Sequence, residues 1–349
     1  MTQTAVEAAE SVTPRDVRGL AVRWLGLGLV AVAVIVVILR AIDQPQTFFS
    51  VLIFGINNGA LYALIALGYT LVYGIIELIN FSHGDLFMLG SVFAAIFVIT
   101  WFGADSPSVL AFGALLLGLV MCMVVAAAIN VTAERVAYRR LRRAPKLAPL
   151  ITAVGLSFVY QWFGQRQFMT GSAPKQWDRI VESPAFTLGG VRVGWSPIIV
   201  IAITVPLLLL MTYIVQRTPA GKAMRATAQD QDAARLMGID VDRTIAFTFG
   251  LGGAMAGAAG LLWLESIGTT RYDLGFQLGL IAFTAAVLGG IGNLTGAVLG
   301  GFLIGIIQGI NEGLLFGQKW STTVVFGILI ALMVFKPEGL LGKPTTEKV

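Results

Sequence analysis

The densest group of chemically capable side chains in the sequence is Glu77-Leu-Ile-Asn-Phe-Ser-His-Gly-Asp85, which sets Glu77, Asn80, Ser82, His83 and Asp85 within nine residues between two apolar runs. Carboxylates, an amide, a hydroxyl and an imidazole at this density can exchange hydrogen bonds with a zwitterionic solute. A helix broken here would add free N–H and carbonyl groups to the set. An ordinary turn near a membrane interface would use the same residues. Asn57 and Asn58 form a second polar point inside an apolar stretch, where bare amides are costly, so they face a neighbouring helix or a water-lined path. Other chemistries drop out. His83 is the only histidine and Cys122 the only cysteine, which leaves no internal disulfide and no HExxH, CxxC or paired-histidine metal site. Gly221-Lys222 is followed by Ala223 and Gly342-Lys343 by Pro344, where a phosphate loop needs Ser or Thr for magnesium. If nucleotide drives this protein, another chain binds it. The pattern also lacks a nucleophile with a base or metal-ligand pair, which argues against an intramembrane enzyme.

Composition sets the elements that must hold these residues. The 349 residues are 56% hydrophobic and 12% charged, with a mean hydropathy of +0.82, against about 25% charged residues in an average soluble chain. A soluble core cannot hide so much apolar surface, so a cytosolic enzyme or nucleic-acid-binding domain is excluded and membrane lipid is the expected solvent. Cutting at charged residues leaves uncharged windows at 24–39, 44–76, 86–104, 106–133, 147–165, 193–216, 244–264, 274–311 and 320–335. A crossing takes about 20 residues, so 274–311 holds two, divided at Gly289-Gly-Ile-Gly-Asn293. Window 44–76 is either one long span or a span with a re-entrant half-helix. Residues 134–149 carry six basic side chains against Glu134 alone, and 217–243 carry five, so both loops are expected in the cytoplasm. The reading is an all-α integral membrane protein with about ten transmembrane or partly re-entrant helices and both termini cytoplasmic. It divides into a polar tail at 1–20, a transmembrane domain at 21–336 with its largest outside loop at 166–192, and a tail at 337–349.

Helix contacts are also legible. Gly301, Gly305, Gly309 and Gly313 recur every four residues, as do Gly253 and Gly257, which lays grooves where neighbouring backbones can approach. In the loop 217–243, Asp230 is a helix N-cap and Gly238 a stop, enclosing Ala233, Ala234, Leu236 and Met237. So short a helix is unstable alone in water and should dock on a partner, its alanines allowing close approach. Four acids against five bases argue against a helix lying on lipid headgroups. Asp242 is expected to cap the next span.

Three stretches resemble the LivH-type permease subunits of branched-chain amino-acid ABC importers. They are Gly55-Ile-Asn-Asn-Gly-Ala-Leu-Tyr-Ala-Leu64 through Gly74, Ile79-Asn-Phe-Ser-His-Gly-Asp85 with Met88-Leu-Gly90, and Gly221-Lys-Ala-Met-Arg-Ala226 through Asp240. Leu288 to Gly300 is similar to the family's late glycine-rich segment. Ser82 and Asp85 stand where members more often carry Ala and Glu, and Glu77 where a small or apolar residue is usual. The resemblance implies a bacterial inner-membrane, multi-pass importer subunit that makes and breaks no covalent bond. It implies a second LivM-like permease, two cytoplasmic ATPases that bind ATP and Mg, and an extracytoplasmic solute-binding protein, with no cofactor on this chain and no nucleic acid. The substrate path would use Asn57, Asn58, Glu77, Asn80, Ser82, His83 and Asp85. Coupling to the ATPases would use Gly221, Lys222, Arg225, Ala226, Ala233, Ala234, Leu236 and Gly238. The alternatives are an ABC permease for urea or short amides, and a self-sufficient secondary transporter or channel, which would want ionisable groups deep in its spans.

Overall fold

The computed structural model describes residues 17–101, 109–142, 144–145, 147–176, 184–188 and 190–342. The expected tails fall mostly outside these residues. Helix α1 (Val17–Asp43) leads into α2 (Pro45–Ile76), 32 residues long. Window 44–76 is therefore one continuous helix: Pro45 opens it where the missing N–H costs nothing, and Asn57 and Asn58 ride on it unbroken. It stops at Glu77, whose φ of 52° puts a non-glycine residue in the left-handed region. After an irregular stretch, α3 (His83–Ala94) runs on as a wider π-helical segment, Ala95–Trp101.

Helix α4 (Val109–Ala133) continues through a π turn, Glu134–Tyr138, to Leu141. The basic stretch 134–149 is thus largely a helix end, and α5 (Leu147–Gly164) follows after a short link. Next come α6 (Trp195–Arg217), α7 (Pro219–Gln229), α8 (Gln231–Leu236), α9 (Val241–Ile267), α10 (Leu274–Gly289), α11 (Leu294–Leu314) and α12 (Ser321–Phe335). The long window 274–311 divides as expected. Gly290 and Gly292 take φ values of 104° and 90° between α10 and α11, and the Asn293 side chain caps α11 by accepting from Gly296 N at 3.1 Å. Two small antiparallel pairs complete the described structure: β1 (Lys175–Gln176) with β4 (Thr269–Thr270), and β2 (Pro184–Leu188) with β3 (Val191–Gly194). Among the described residues seven helices are long and apolar enough to cross a membrane, and His83–Val98 and Leu274–Gly289 are shorter apolar helices.

The most apolar windows of α2 and α9 are 83% and 78% buried, against 28% for α4 and α5, so α2 and α9 form the centre and the others turn apolar faces outward, as lipid permits. Glycine lets the centre close. A Cβ on Gly301 would lie 2.5 Å from Ala63 Cα, one on Gly305 2.4 Å from Gly55 O, and one on Gly309 2.8 Å from Val51 O, all on α2. Gly253 and Gly257 seat α9 against Ala126 and Cys122 of α4 in the same way. The ladders are helix packing, as their spacing predicts. One end of the bundle, here called the basic face, gathers the Arg142–Asp242 pair, Gly74 beside Gly292, and the backbone bond from Leu340 N to Leu288 O. The opposite end holds Arg40 donating to Leu314 O at 2.7 Å and the β1–β4 pair.

Candidate functional site

The segment after Glu77 turns back into the bundle. Asn80, Ser82, His83 and Asp85 are all buried, Asp85 and His83 with 0% exposure. Their depth follows from the helices they meet. A Cβ on Gly68 of α2 would collide with the His83 ring, and one on Gly84 would lie 2.6 Å from Gly279 Cα of α10. Asp85 accepts from Ser157 of α5. Gly68, Gly279 and Ser157 lie eight to ten residues from the basic-face ends of their helices, which is about 12–15 Å at 1.5 Å per residue. Helix α3 therefore begins inside the bundle and not at its end.

Packing explains why the chain can do this. A Cβ at Gly84 would also meet Gly275 O at 2.3 Å, and Gly90 and Gly260 press α3 and α9 together with comparable intimacy. The first turn of α3 carries Asp85, where the helix dipole favours negative charge. Its carboxylate accepts from Ser157 Oγ and, at 3.2 Å, from Gln161 Nε2. Toward the basic face, Asn80 Oδ1 accepts from Ser82 Oγ at 2.6 Å and from Tyr138 Oη at 2.7 Å. The Tyr69 ring meets the His83 ring edge-on, centroids 4.8 Å apart. Neutral donors thus hold a carboxylate inside the helix bundle. Such a group is expensive there and marks a path for polar solute or protons more often than it marks stability.

The predicted path residues do not form one cluster. Asn57 donates to Ser266 Oγ at 2.7 Å, about 16 Å along α2 from Gly68 by helical rise, so Asn57 and Asn58 make a separate station toward the far face. Among the described residues, Asn57 Oδ1, Asn58 Oδ1 and Asn80 Nδ2 are buried without a hydrogen-bond partner. Glu77 stands apart on the exposed basic face. There it lines a cavity of about 460 Å³ with Arg142 and Gln231. Sequence reasoning missed Ser157 and Gln161, although a polar pair spaced i, i+4 in an apolar span was the available signal. It also missed Tyr138, Ser266 and the burial of Glu134. The Glu134 side chain, 0% exposed, pairs with Arg142 and at 3.3 Å with Arg139, and Arg142 reaches Asp242 at 2.6 Å. The expected cap role of Asp242 is corrected: Asp240 caps α9 by accepting from Arg243 N at 3.0 Å, and Asp242 ties α9 to the end of α4.

At the same face, the segment 217–243 forms two helices. Thr218 caps α7 through Gly221 N, and Asp230 caps α8 through Asp232 N and Ala233 N at 2.8 and 3.0 Å. Gly238 stops α8 with φ 81°. Of the predicted coupling residues, Lys222, Arg225, Ala233, Leu236 and Gly238 are exposed and Ala226 is half-buried. Gly221 and Ala234 are buried against this chain itself, Gly221 because a Cβ would strike Val215 O at 2.1 Å. Leu236 and Met237 are 90% and 82% exposed, which water disfavours and a partner surface would relieve.

An all-α bundle with several spans, a buried polar seam and a protruding two-helix knuckle is the build of a membrane permease. Residues 51–334 match the family described as the permease component of branched-chain amino acid transport systems, and the chain belongs to that family. It is 38% identical to the high-affinity branched-chain amino acid transport system permease protein BraD of Pseudomonas aeruginosa, over 85% of this chain and 97% of that protein. It is 37% identical to LivH of Escherichia coli K12, over 88% and 99%, and 28% identical to a probable LivH of Methanocaldococcus jannaschii, over 81% and 89%. No solved structure matches it.

Proposed function

We propose that this chain is the permease subunit of an ATP-driven ABC importer in a bacterial inner membrane, carrying branched-chain or similar aliphatic amino acids. Each helix from α1 to α6 and from α9 to α12 would cross or partly cross the bilayer, ten in all, with the basic face and both termini in the cytoplasm. The observation that carries the path is the start of α3 inside the bundle, with Asp85, Ser157 and Gln161 hydrogen-bonded there and the Asn57–Ser266 pair farther toward the other end. A zwitterion passing such stations exchanges hydrogen bonds in place of its hydration shell. The chain itself performs no covalent chemistry.

Drive would come from outside the chain. A second permease would complete the path, two cytoplasmic ATPases binding ATP and Mg would supply the energy, and an extracytoplasmic solute-binding protein would deliver cargo. The ATPase surface would receive Ala233, Leu236, Met237 and Gly238, and α7 would transmit the thrust to α6 and α9 as a two-state change biased by nucleotide. Reconstitution tests this directly. Proteoliposomes with all partners should show ATP-dependent leucine uptake and those holding this chain alone none; uptake by the isolated chain would make it a self-sufficient transporter.

A further inference from the structure

A furrow of about 670 Å³ runs along the outer surface of the bundle between α4 and α9, inside the usual range of about 300–1,000 Å³ for small-molecule sites. Its floor is built from small residues, Ala127 of α4 with Ala246 and Gly250 of α9, beside the line where Gly253 and Gly257 bring the two helices together. Val124 and Phe247, 61% and 42% exposed, form its rims. From Val120 to Val131 it follows α4 for about 16 Å at 1.5 Å per residue, close to the roughly 15 Å of hydrocarbon in one bilayer leaflet. At the basic face the apolar lining ends in two guanidinium groups, Arg135 from the π turn after α4 and Arg243 from the first turn of α9. The neighbouring carboxylates are already matched. Glu134 and Asp242 pair with Arg139 and Arg142, and Asp240 with Arg243 Nε at 3.0 Å. Among the described residues no carboxylate pairs with Arg135, which is exposed, and the terminal nitrogens of Arg243, in a side chain 89% exposed, face water.

We propose that this furrow is a binding site for an anionic phospholipid, with an acyl chain laid along α4 and α9 and the phosphate held by Arg135 and Arg243. Each half of the site selects one half of the ligand. The furrow offers an acyl chain apolar walls over its length, and a basic pocket between membrane helices attracts an anionic headgroup. Free phosphate would use the arginines and leave the furrow empty. A second protein docked here would have to bring carboxylates to both arginines and side chains to fill the furrow, whereas an anionic lipid brings both in one molecule. Once seated, the lipid braces the ends of α4 and α9 that Arg142 and Asp242 already tie together. The inference needs only that the chain lies in a bilayer and is independent of the coupling role proposed for α8.

The test titrates the full chain in mild detergent, alone and in the assembled importer, with dioleoylphosphatidylglycerol or dioleoylphosphatidylcholine. Bound lipid is counted by native mass spectrometry and the melting temperature is followed in parallel. The anionic lipid should bind about tenfold more tightly than the zwitterionic one and raise the melting temperature further. Arg135→Gln with Arg243→Gln should reduce that preference to about twofold or less. Ala127→Phe, which fills the furrow and leaves both arginines, should weaken both lipids about tenfold; should it fold poorly, the exposed arginine pair still carries the test. Inorganic phosphate at millimolar concentration should not displace the lipid. Equal binding of the two lipids, an unchanged preference in the double arginine variant, or displacement by phosphate alone overturns the proposal. Binding to the chain alone that disappears in the assembled importer also overturns it, and makes the furrow the seat of another subunit. Failure of the importer to assemble would instead count against the importer reading, with the lipid test of the chain alone unaffected.

Discussion

The re-entrant segment around Asp85 and the knuckle around Leu236 are both short polar stretches, yet each defies its surroundings in the opposite sense. Around Asp85 a carboxylate is fully buried among apolar helices, with Ser157 and Gln161 as its neutral partners. Around Leu236 two large apolar side chains, Leu236 and Met237, are almost wholly exposed at the end of a six-residue helix capped by Asp230. The first arrangement costs desolvation of charge and the second exposes apolar area, so neither is explained by the stability of this chain alone. Comparing them shows two ways of holding such groups: the buried polar groups are fixed inside by close glycine packing, and the exposed apolar groups are presented outside by a capped helix.

The largest effect should come from disturbing the interior packing. Gly84→Val forces a Cβ into Gly275 O and Gly279 Cα, and backbone cannot yield as a side chain can. We expect loss of folded protein from the membrane, seen as collapse of the monodisperse peak after solubilisation; a normal peak would mean that α3 does not seat as described. At the knuckle, Leu236→Glu with Ala233→Arg should leave folding intact but reduce ATP-dependent uptake by about tenfold or more, the scale of a coupling loss above about 1.4 kcal/mol. Unchanged uptake would remove the knuckle from the coupling path.

Smaller changes sharpen the contrast. Asp85→Leu strands Ser157 and Gln161, costing about 1–3 kcal/mol, while Asp85→Asn keeps a hydrogen-bonding partner and should melt within a few degrees of the unaltered protein. Both should impair uptake. If Asp85→Asn transported normally, the carboxylate would be a packing element only. The mildest expected change is Asp230→Ala, which removes one cap worth about 1 kcal/mol. It should weaken binding of the ATPases several-fold in a pull-down titration without altering the melting temperature of the bundle, and an unaltered titration would show that α8 is ordered by its partner and not by its cap.

Much of this was legible because the signals were local. Gly289 to Asn293 announced a break between two helices, Asp230 and Gly238 bracketed α8, and the four-residue spacing of Gly301, Gly305 and Gly309 announced a contact face. The partner of that face, α2, could not be read from the spacing. Ser157 and Gln161 went unnoticed because nothing within α5 says that a carboxylate will arrive from another helix. Asp240 and Asp242 both suit a helix start, and only the position of Arg142 decides which one caps and which one forms an ion pair.

Composition and the spacing of apolar runs determined that the chain lives in lipid, since about 20 uncharged residues in a row have few other stable homes. Motif residues determined the family. Depth, by contrast, was decided only by tertiary structure: the same polar string from Glu77 to Asp85 reads equally as a surface turn or a descent into the bundle. Gly84 and Gly90, packed against Gly279 and Gly257, draw it inward because in lipid the polar backbone and side chains of that string must find partners inside the protein.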